Sequence, residues 1–344
     1  MSANDPIWLT ETDVVELMHL GEAIDALGAG LGLEANGTAN NMVKTHAVWG
    51  GGRTLHAIGA TVEGAGFVGT KTWAHTAAGA TPLLILWDSE TGRLRAVIEA
   101  FALGQMRTGS MTGLATRWLA RPDTDELAQV GTGKQAMAQV AGVAAVRPLK
   151  RVRIYSPTPE KRAAFAETLA AKGFDFEVSV ADSVAACVEG APIVTLVTRA
   201  RAPFLTASMV ARGAHVNAVG AITPEREEFA QDLFPRVDLA AADSVPAVQR
   251  LSKEFMTYYD GGPGEWTAVR PLSALIAAGE CRPANADLTL FKAMGMGISD
   301  LSLGMALYER ARATGRGRPF PHPERAEPRL RASDRMTAEK GHSS

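Results

Sequence analysis

The chain has 344 residues, about two domains' worth, and 46% of them are hydrophobic. Its 35 lysines and arginines face 37 aspartates and glutamates, a net charge of −2, so nothing marks a nucleic-acid or membrane-surface binder. Cys187 and Cys281 stand far apart and outside any CxxC pattern, and are read as reduced thiols of a cytoplasmic protein.

In chain order, the N-terminus carries Asp5, Glu11 and Asp13 with no basic stretch before an apolar run, which argues against a signal peptide. No apolar run approaches the ~20 residues of a bilayer span. Over residues 14–33, Val15, Leu17, Met18, Ile24, Leu27, Leu31 and Leu33 recur at helical spacing, and Thr12 is placed to cap that helix. Residues 54–60, 67–73, 81–87 and 94–99 read as short strands, with Ser89-Glu90-Thr91-Gly92 turning the chain before the last. With no helix between them they form a mainly antiparallel sheet, followed by a helix over 103–119.

At Arg121-Pro122-Asp123 the pattern changes to alternation. Strands at 127–130, 151–155 and 176–179 are interleaved with helices at 134–146, 159–172 and 183–189. Strands at 193–197, 215–219 and 237–241 follow. Such alternation means right-handed crossovers and a parallel sheet covered on both faces. The helix at 297–313 is expected to return to the first domain. The fold class is therefore α/β: a Rossmann-type parallel-sheet domain over 122–296, plus a discontinuous N-terminal α+β domain over 1–121 with 297–320. From Gly315 the chain is rich in Arg, Pro and Gly, so poor packing is expected, with 321–344 a poorly ordered tail.

The segment Gln129-Val130-Gly131-Thr132-Gly133-Lys134-Gln135-Ala136 runs from a strand through glycines into a helix. Gly131 suits the tight turn, Gly133 allows close backbone approach to a pyrophosphate, and Ala136 lets helix and strand pack. The helix N-terminus adds free N–H groups and partial positive charge. At the end of the second strand, where an NAD enzyme has an acid for the ribose 2′-OH, stand Tyr155-Ser156-Pro157-Thr158, with Lys161 and Arg162 one turn on. Hydroxyls and cations without an acid favour NADP(H) over NAD(H).

Several segments together resemble the ornithine cyclodeaminase/μ-crystallin family. They are Gly69-Thr70-Lys71, Trp87-Asp88-Ser89-Glu90-Thr91-Gly92, Met106-Arg107-Thr108-Gly109-Ser110, the glycine loop, His215-Val216-Asn217-Ala218-Val219-Gly220 and Leu288-Thr289-Leu290-Phe291-Lys292-Ala293-Met294-Gly295. Their order and spacing match across residues 11–313. The resemblance implies a homodimer formed through the N-terminal domain and a substrate pocket between the domains. It also implies hydride exchange at a carbon bearing both nitrogen and carboxylate. By the same resemblance Lys71 matches the active-site lysine, Arg107 the arginine of an Arg-Thr motif, and Lys44 a further carboxylate-binding cation. Arginine's planar fork suits a carboxylate, and Lys71 can either hold the substrate carboxylate or give a proton near the imine nitrogen. Thr108 is expected to cap its helix and face the phosphates. The cofactor set is completed by Thr132, Lys134, Gln135, Ser156, Thr158, Arg162, Thr198 and Gly220.

One departure is informative. Where cyclodeaminases and alanine-dehydrogenase-like members of the family carry an aspartate for acid/base work, this chain has Ile222. An isoleucine transfers no proton, so the sequence favours NAD(P)H-dependent reduction of an imine next to a carboxylate, or reductive amination of a 2-oxo acid. His75, four residues after Lys71 and so on the same strand face, is the candidate replacement acid, with His56 second. Glu225, Glu227 and Glu228 read as charge complements of a helix start. Trp73 and Trp87 read as core or pocket wall. Small imino or oxo acids and amines are the expected partners, with no metal. Two rivals stay open: a cyclodeaminase-like lyase with bound NAD, and a nucleotide-bound, crystallin-like ligand-binding protein.

Overall fold

The structure is a computed structural model that describes residues 5–328 and 330. The first sheet contains β1 (Ile7–Leu9), β2 (Ala39–Asn41), β3 (Thr45–Trp49), β4 (Arg53–Val62), β5 (Phe67–Thr76), β6 (Gly79–Ala80), β7 (Leu83–Asp88) and β8 (Leu94–Glu99). Their hydrogen-bonded order is β1-β8-β7-β5-β4-β2, with β3 paired to β4 and β6 to β5. All pairs are antiparallel except β1 with β8.

The helix expected over 14–33 is two. Thr10, not Thr12, caps α1 (Glu11–Leu17) in a reciprocal box with Asp13. The chain extends at Met18, and His19 then caps α2 (Leu20–Ala35) with Glu22. Ala23, Ile24, Leu27 and Leu31 of α2 are buried at helical spacing. They meet Leu84, Leu86 and Ile98 of the sheet and Ile298, Leu301 and Leu303 of the helix Gly297–Thr314 in one core.

The second sheet holds β9 (Glu126–Val130), β10 (Arg151–Tyr155), β11 (Glu177–Val180), β12 (Ile193–Leu196), β13 (Ala214–Ala218), β14 (Val237–Ala242), β15 (Val269–Pro271) and β16 (Leu288–Lys292). Its order is β11-β10-β9-β12-β13-β16-β14-β15, parallel throughout. The direction of winding reverses between β9 and β12, which opens a crevice beyond their carboxyl ends.

Two helices fix the sheets to one another. α3 (Phe101–Leu119) packs on α4 (Ala136–Ala144), the helix after the glycine loop. A Cβ on Gly109 would collide with the Ala138 carbonyl, and one on Gly142 with the Gly109 carbonyl. This backbone-to-backbone contact sets the middle of α3 along the length of α4.

The chain beyond Gly315 is mostly exposed, with no buried residue among those described, yet part of it is held. β17 (Arg318–Pro319) pairs with β1, Phe320 N–H donates to the Pro6 carbonyl at 3.1 Å, and Leu94 N–H donates to His322 Nε2 at 3.1 Å. Backbone pairing and one imidazole acceptor, which need no apolar side chain, hold residues 318–322. Residues 331–344 of the expected tail lie outside the described residues.

Candidate active site

A cleft of about 530 Å³ opens at the crevice between the sheets. From the first sheet and α3 it is lined by Lys44, Ile58, Trp73, His75, Arg107 and Thr108. From the second sheet come Gly133, Lys134, Gln135, Thr198, Gly220 and Ile222. Arg199, Arg226 and the segment Ala293–Gly295 complete it. Among the described residues, five cations line this cleft and no carboxylate does.

The cofactor side is shaped by backbone. Gly131 has φ 109°, and a Cβ there would stand 2.5 Å from the Val197 carbonyl, so only glycine lets the ends of β9 and β12 approach this closely. Gly133 is the converse: a Cβ on it would meet nothing within 4 Å, because it faces open space at the start of α4. That exposed loop and helix N-terminus fit the pyrophosphate of a dinucleotide. Thr132 is half-buried behind Gly133. Ser156 and Thr158 stand at the end of β10, beside the loop and outside the cleft lining; Ser156 is buried. Arg162 is largely committed elsewhere: Nη1 donates to the Ala181 carbonyl at 2.6 Å and Nη2 lies 3.7 Å from Asp182. Thr108 does not cap α3. It sits seven residues in, its hydroxyl donating to the Gly104 carbonyl at 2.8 Å, because the helix starts at Phe101.

The opposite wall is made of charged side chains. The alternation of β5 puts Lys71, Trp73 and His75 on one face. Lys71 is buried, its Nζ 2.5 Å from Asp300 Oδ1 and 5.3 Å from the Trp73 ring centroid. Arg107 Nε lies 3.4 Å from the same carboxylate oxygen. Burial pushes the Lys71 ammonium below the usual lysine range, against the pull of Asp300. Lys44 is lowered too, by burial and then by the Arg107 cation. His75 is exposed at the rim. His56 stacks on Trp73 with centroids 4.8 Å apart, and burial followed by the Lys44 charge depresses its pKa.

Sequence reasoning missed the anions behind this wall. Asp300 is fully buried in the first turn of the helix Gly297–Thr314, where the helix dipole favours its charge. Its signal was a lone charge in the opening turns of a helix, Gly297-Ile298-Ser299-Asp300-Leu301. A Cβ on Gly297 would collide with the Gly59 carbonyl, so the helix starts directly on β4. Asp243, buried at the end of β14, accepts from Met294 N at 2.9 Å and from Gly295 N at 2.7 Å, and so fixes the turn lying against the Arg107 guanidinium. Glu225, Glu227 and Glu228 start no helix; Glu228 is wholly buried.

Fold and cleft together define an α/β protein with a Rossmann-type parallel sheet and a cleft at its switch point. The chain belongs to the ornithine cyclodeaminase/mu-crystallin family, whose model matches residues 4–315. A Delta(1)-pyrroline-2-carboxylate reductase of Bacillus cereus is 30% identical over 237 residues, 68% of this chain and 72% of that one. The mouse ketimine reductase mu-crystallin is 29% identical over 227 residues, 66% of this chain and 68% of its own. Among solved structures, Delta(1)-pyrroline-2-carboxylate reductase of Thermococcus litoralis, in complex with NADH and L-proline, superposes with a TM-score of 0.84 at 24% identity. That match covers 91% of this chain and 100% of that one.

Proposed function

We propose that this chain reduces a C=N bond adjacent to a carboxylate, acting on an imine or ketimine or on the imine formed from a 2-oxo acid and an amine. One observation carries the reading: the cleft that holds Gly133 is lined by five cations, by Ile222 and by no carboxylate. An anionic substrate is attracted there, and a reaction that needs a carboxylate base on an amine finds none.

Arg107 offers its fork to the substrate carboxylate and Lys44 adds a second positive charge. Lys71 lies behind Trp73 and acts through Asp300, which anchors both Lys71 and Arg107 and keeps the three cations from repelling one another freely. Ile58, Trp73 and Ile222 exclude water beside the reacting carbon. When bound, the nicotinamide supplies the hydride. A substrate arriving as an iminium brings its own proton, so no acid is required at position 222.

We further propose a preference for NADP(H), supported by Ser156 and Thr158 in place of an acid after β10. Homodimerisation is supported by the face of the first sheet opposite its helices, where Trp8, Leu83, Ile85, Trp87 and Val97 are only half-buried. Light scattering on the purified protein tests it, a monomer being the contrary result. Two unpaired cysteines support a cytoplasmic setting, and no helix among the described residues is long and apolar enough to cross a membrane. The activity is tested by NADPH oxidation across 2-oxo acids with ammonia or methylamine, and across cyclic imine carboxylates. Turnover with at least one cyclic imine carboxylate is expected, and turnover with none contradicts the proposal.

A further inference from the structure

The carboxylate of Glu228 lies just below the floor of the cleft and is wholly buried. Its Oε1 accepts from Thr198 N at 2.7 Å and from Thr198 Oγ1 at 2.8 Å. Its Oε2 accepts from Gly220 N at 2.8 Å and from Ala221 N at 3.0 Å. Thr198 follows β12 and Gly220 follows β13, and both line the cleft. A side chain at Gly220 would collide with Thr198 and with Glu228 itself, so the two strand ends are drawn as close as backbone permits. Glu228 is held from below: its own N–H donates to Glu254 Oε1 at 3.0 Å, and Lys292 Nζ donates to the Ala221 carbonyl at 2.7 Å, with Glu254 Oε2 3.4 Å away. Burial pushes the Glu228 carboxyl upward in pKa, and the nearby Lys292 charge opposes the shift.

A buried carboxylate carries a large desolvation cost, and apolar packing would hold two loops together without it. Its four acceptor contacts all converge on backbone or hydroxyl groups of two cleft-lining turns. We infer that Glu228 is a positioning residue, a clip that fixes the turns after β12 and β13 where the nicotinamide end of the cofactor and the reacting carbon meet. This rests on reading the cleft as the cofactor and substrate site.

The two oxygens make different contacts, which gives a selective test. In Glu228→Gln the remaining carbonyl oxygen keeps the two backbone donors of Gly220 and Ala221. The amide nitrogen then turns toward Thr198, where it can donate to the hydroxyl and leaves Thr198 N–H unpaired. Expected for the folded full-length variant are kcat lowered about 100-fold through misplacement of the reacting groups and NADPH Kd weakened about tenfold. Thr198→Val, which removes only the hydroxyl, should move both in the same direction by less. Fluorescence titration with NADPH reads the clip without any substrate, so it stays informative even where no imine is reduced. A merely structural Glu228 would lower the melting temperature and leave Kd and kcat of the folded protein unchanged; that result overturns the inference. Should Glu228→Gln not fold, unchanged Kd and kcat in Thr198→Val overturn it equally.

Discussion

In the proposed reading, the second-sheet side of the cleft offers the ligand backbone, from the loop Gly131–Gly133, the N-terminus of α4 and the turns after β12 and β13, with the side chains of Lys134, Arg199 and Arg226 set among them. The first-sheet side offers the charged side chains of Lys44 and Arg107, with Lys71 and Asp300 buried behind them. The first wall serves any dinucleotide, because backbone N–H groups recognise phosphate in general. The second is particular: on the proposed function, its balance of three cations against buried anions, and the apolar Ile222 across from it, would decide which chemistry occurs. Damage to the two walls should therefore separate in measurement, nucleotide affinity failing with one and turnover with the other.

The largest effect is expected for Gly133→Asp, which places a carboxylate in the open space of the glycine loop. Nucleotide binding should fall below detection in titration while circular dichroism stays native, since no protein atom lies in the way. A folded variant with unchanged affinity would remove the cofactor from this loop.

Asp300→Asn attacks the other wall. It leaves the buried Lys71 and the Arg107 guanidinium without their shared anion, and breaking a buried pair typically costs about 3–5 kcal/mol of stability. Chemical denaturation should show a loss of that order, and kcat/KM should drop about 100-fold as Arg107 shifts. NADPH affinity should change far less; an equal loss would merge the two walls into one.

These walls were not equally legible in the sequence. The glycine loop reads directly because strand, turn and helix N-terminus are contiguous, so composition and spacing carry the whole motif. The shared face of Lys71, Trp73 and His75 also follows, from the period of a strand. Asp300 and Asp243 lie far from Lys71 in the chain, and only packing of the C-terminal helix onto β4 brings Asp300 to it. Glu228 was misread because Thr223-Pro224-Glu225 looks like a helix start, whereas tertiary contacts bury the third glutamate of that run. The break at Met18 and His19 escaped notice because apolar spacing continues across it. β3 was missed because its five residues are all exposed and show no alternation.

A smaller effect is expected for Ile222→Asp. A carboxylate at this half-buried position costs a few kcal/mol unless paired, so reduction of a cyclic imine should slow about tenfold and not accelerate. A rise in rate would show that the cleft lacks an acid it needs. A change of similar size, but in cofactor choice alone, is expected in Ser156→Asp, which lies outside the cleft lining. Its carboxylate would bond a ribose 2′-OH and repel a 2′-phosphate, moving the ratio of kcat/KM values for NADPH and NADH toward NADH by about tenfold. Equal kcat/KM for the two nucleotides in the unmodified protein would contradict the cofactor preference.

The central claim is that a cleft with five cations and no carboxylate reduces imines and does not expel ammonia. Both activities are to be measured on the same unmodified preparation, NADPH oxidation with a cyclic imine carboxylate and ammonia release from ornithine without added reductant, and then repeated with His75→Ala. The account expects efficient reduction, no ammonia, and little change on losing the rim histidine. Efficient ammonia release from ornithine that disappears in His75→Ala would contradict it and make the protein a lyase with His75 as its base.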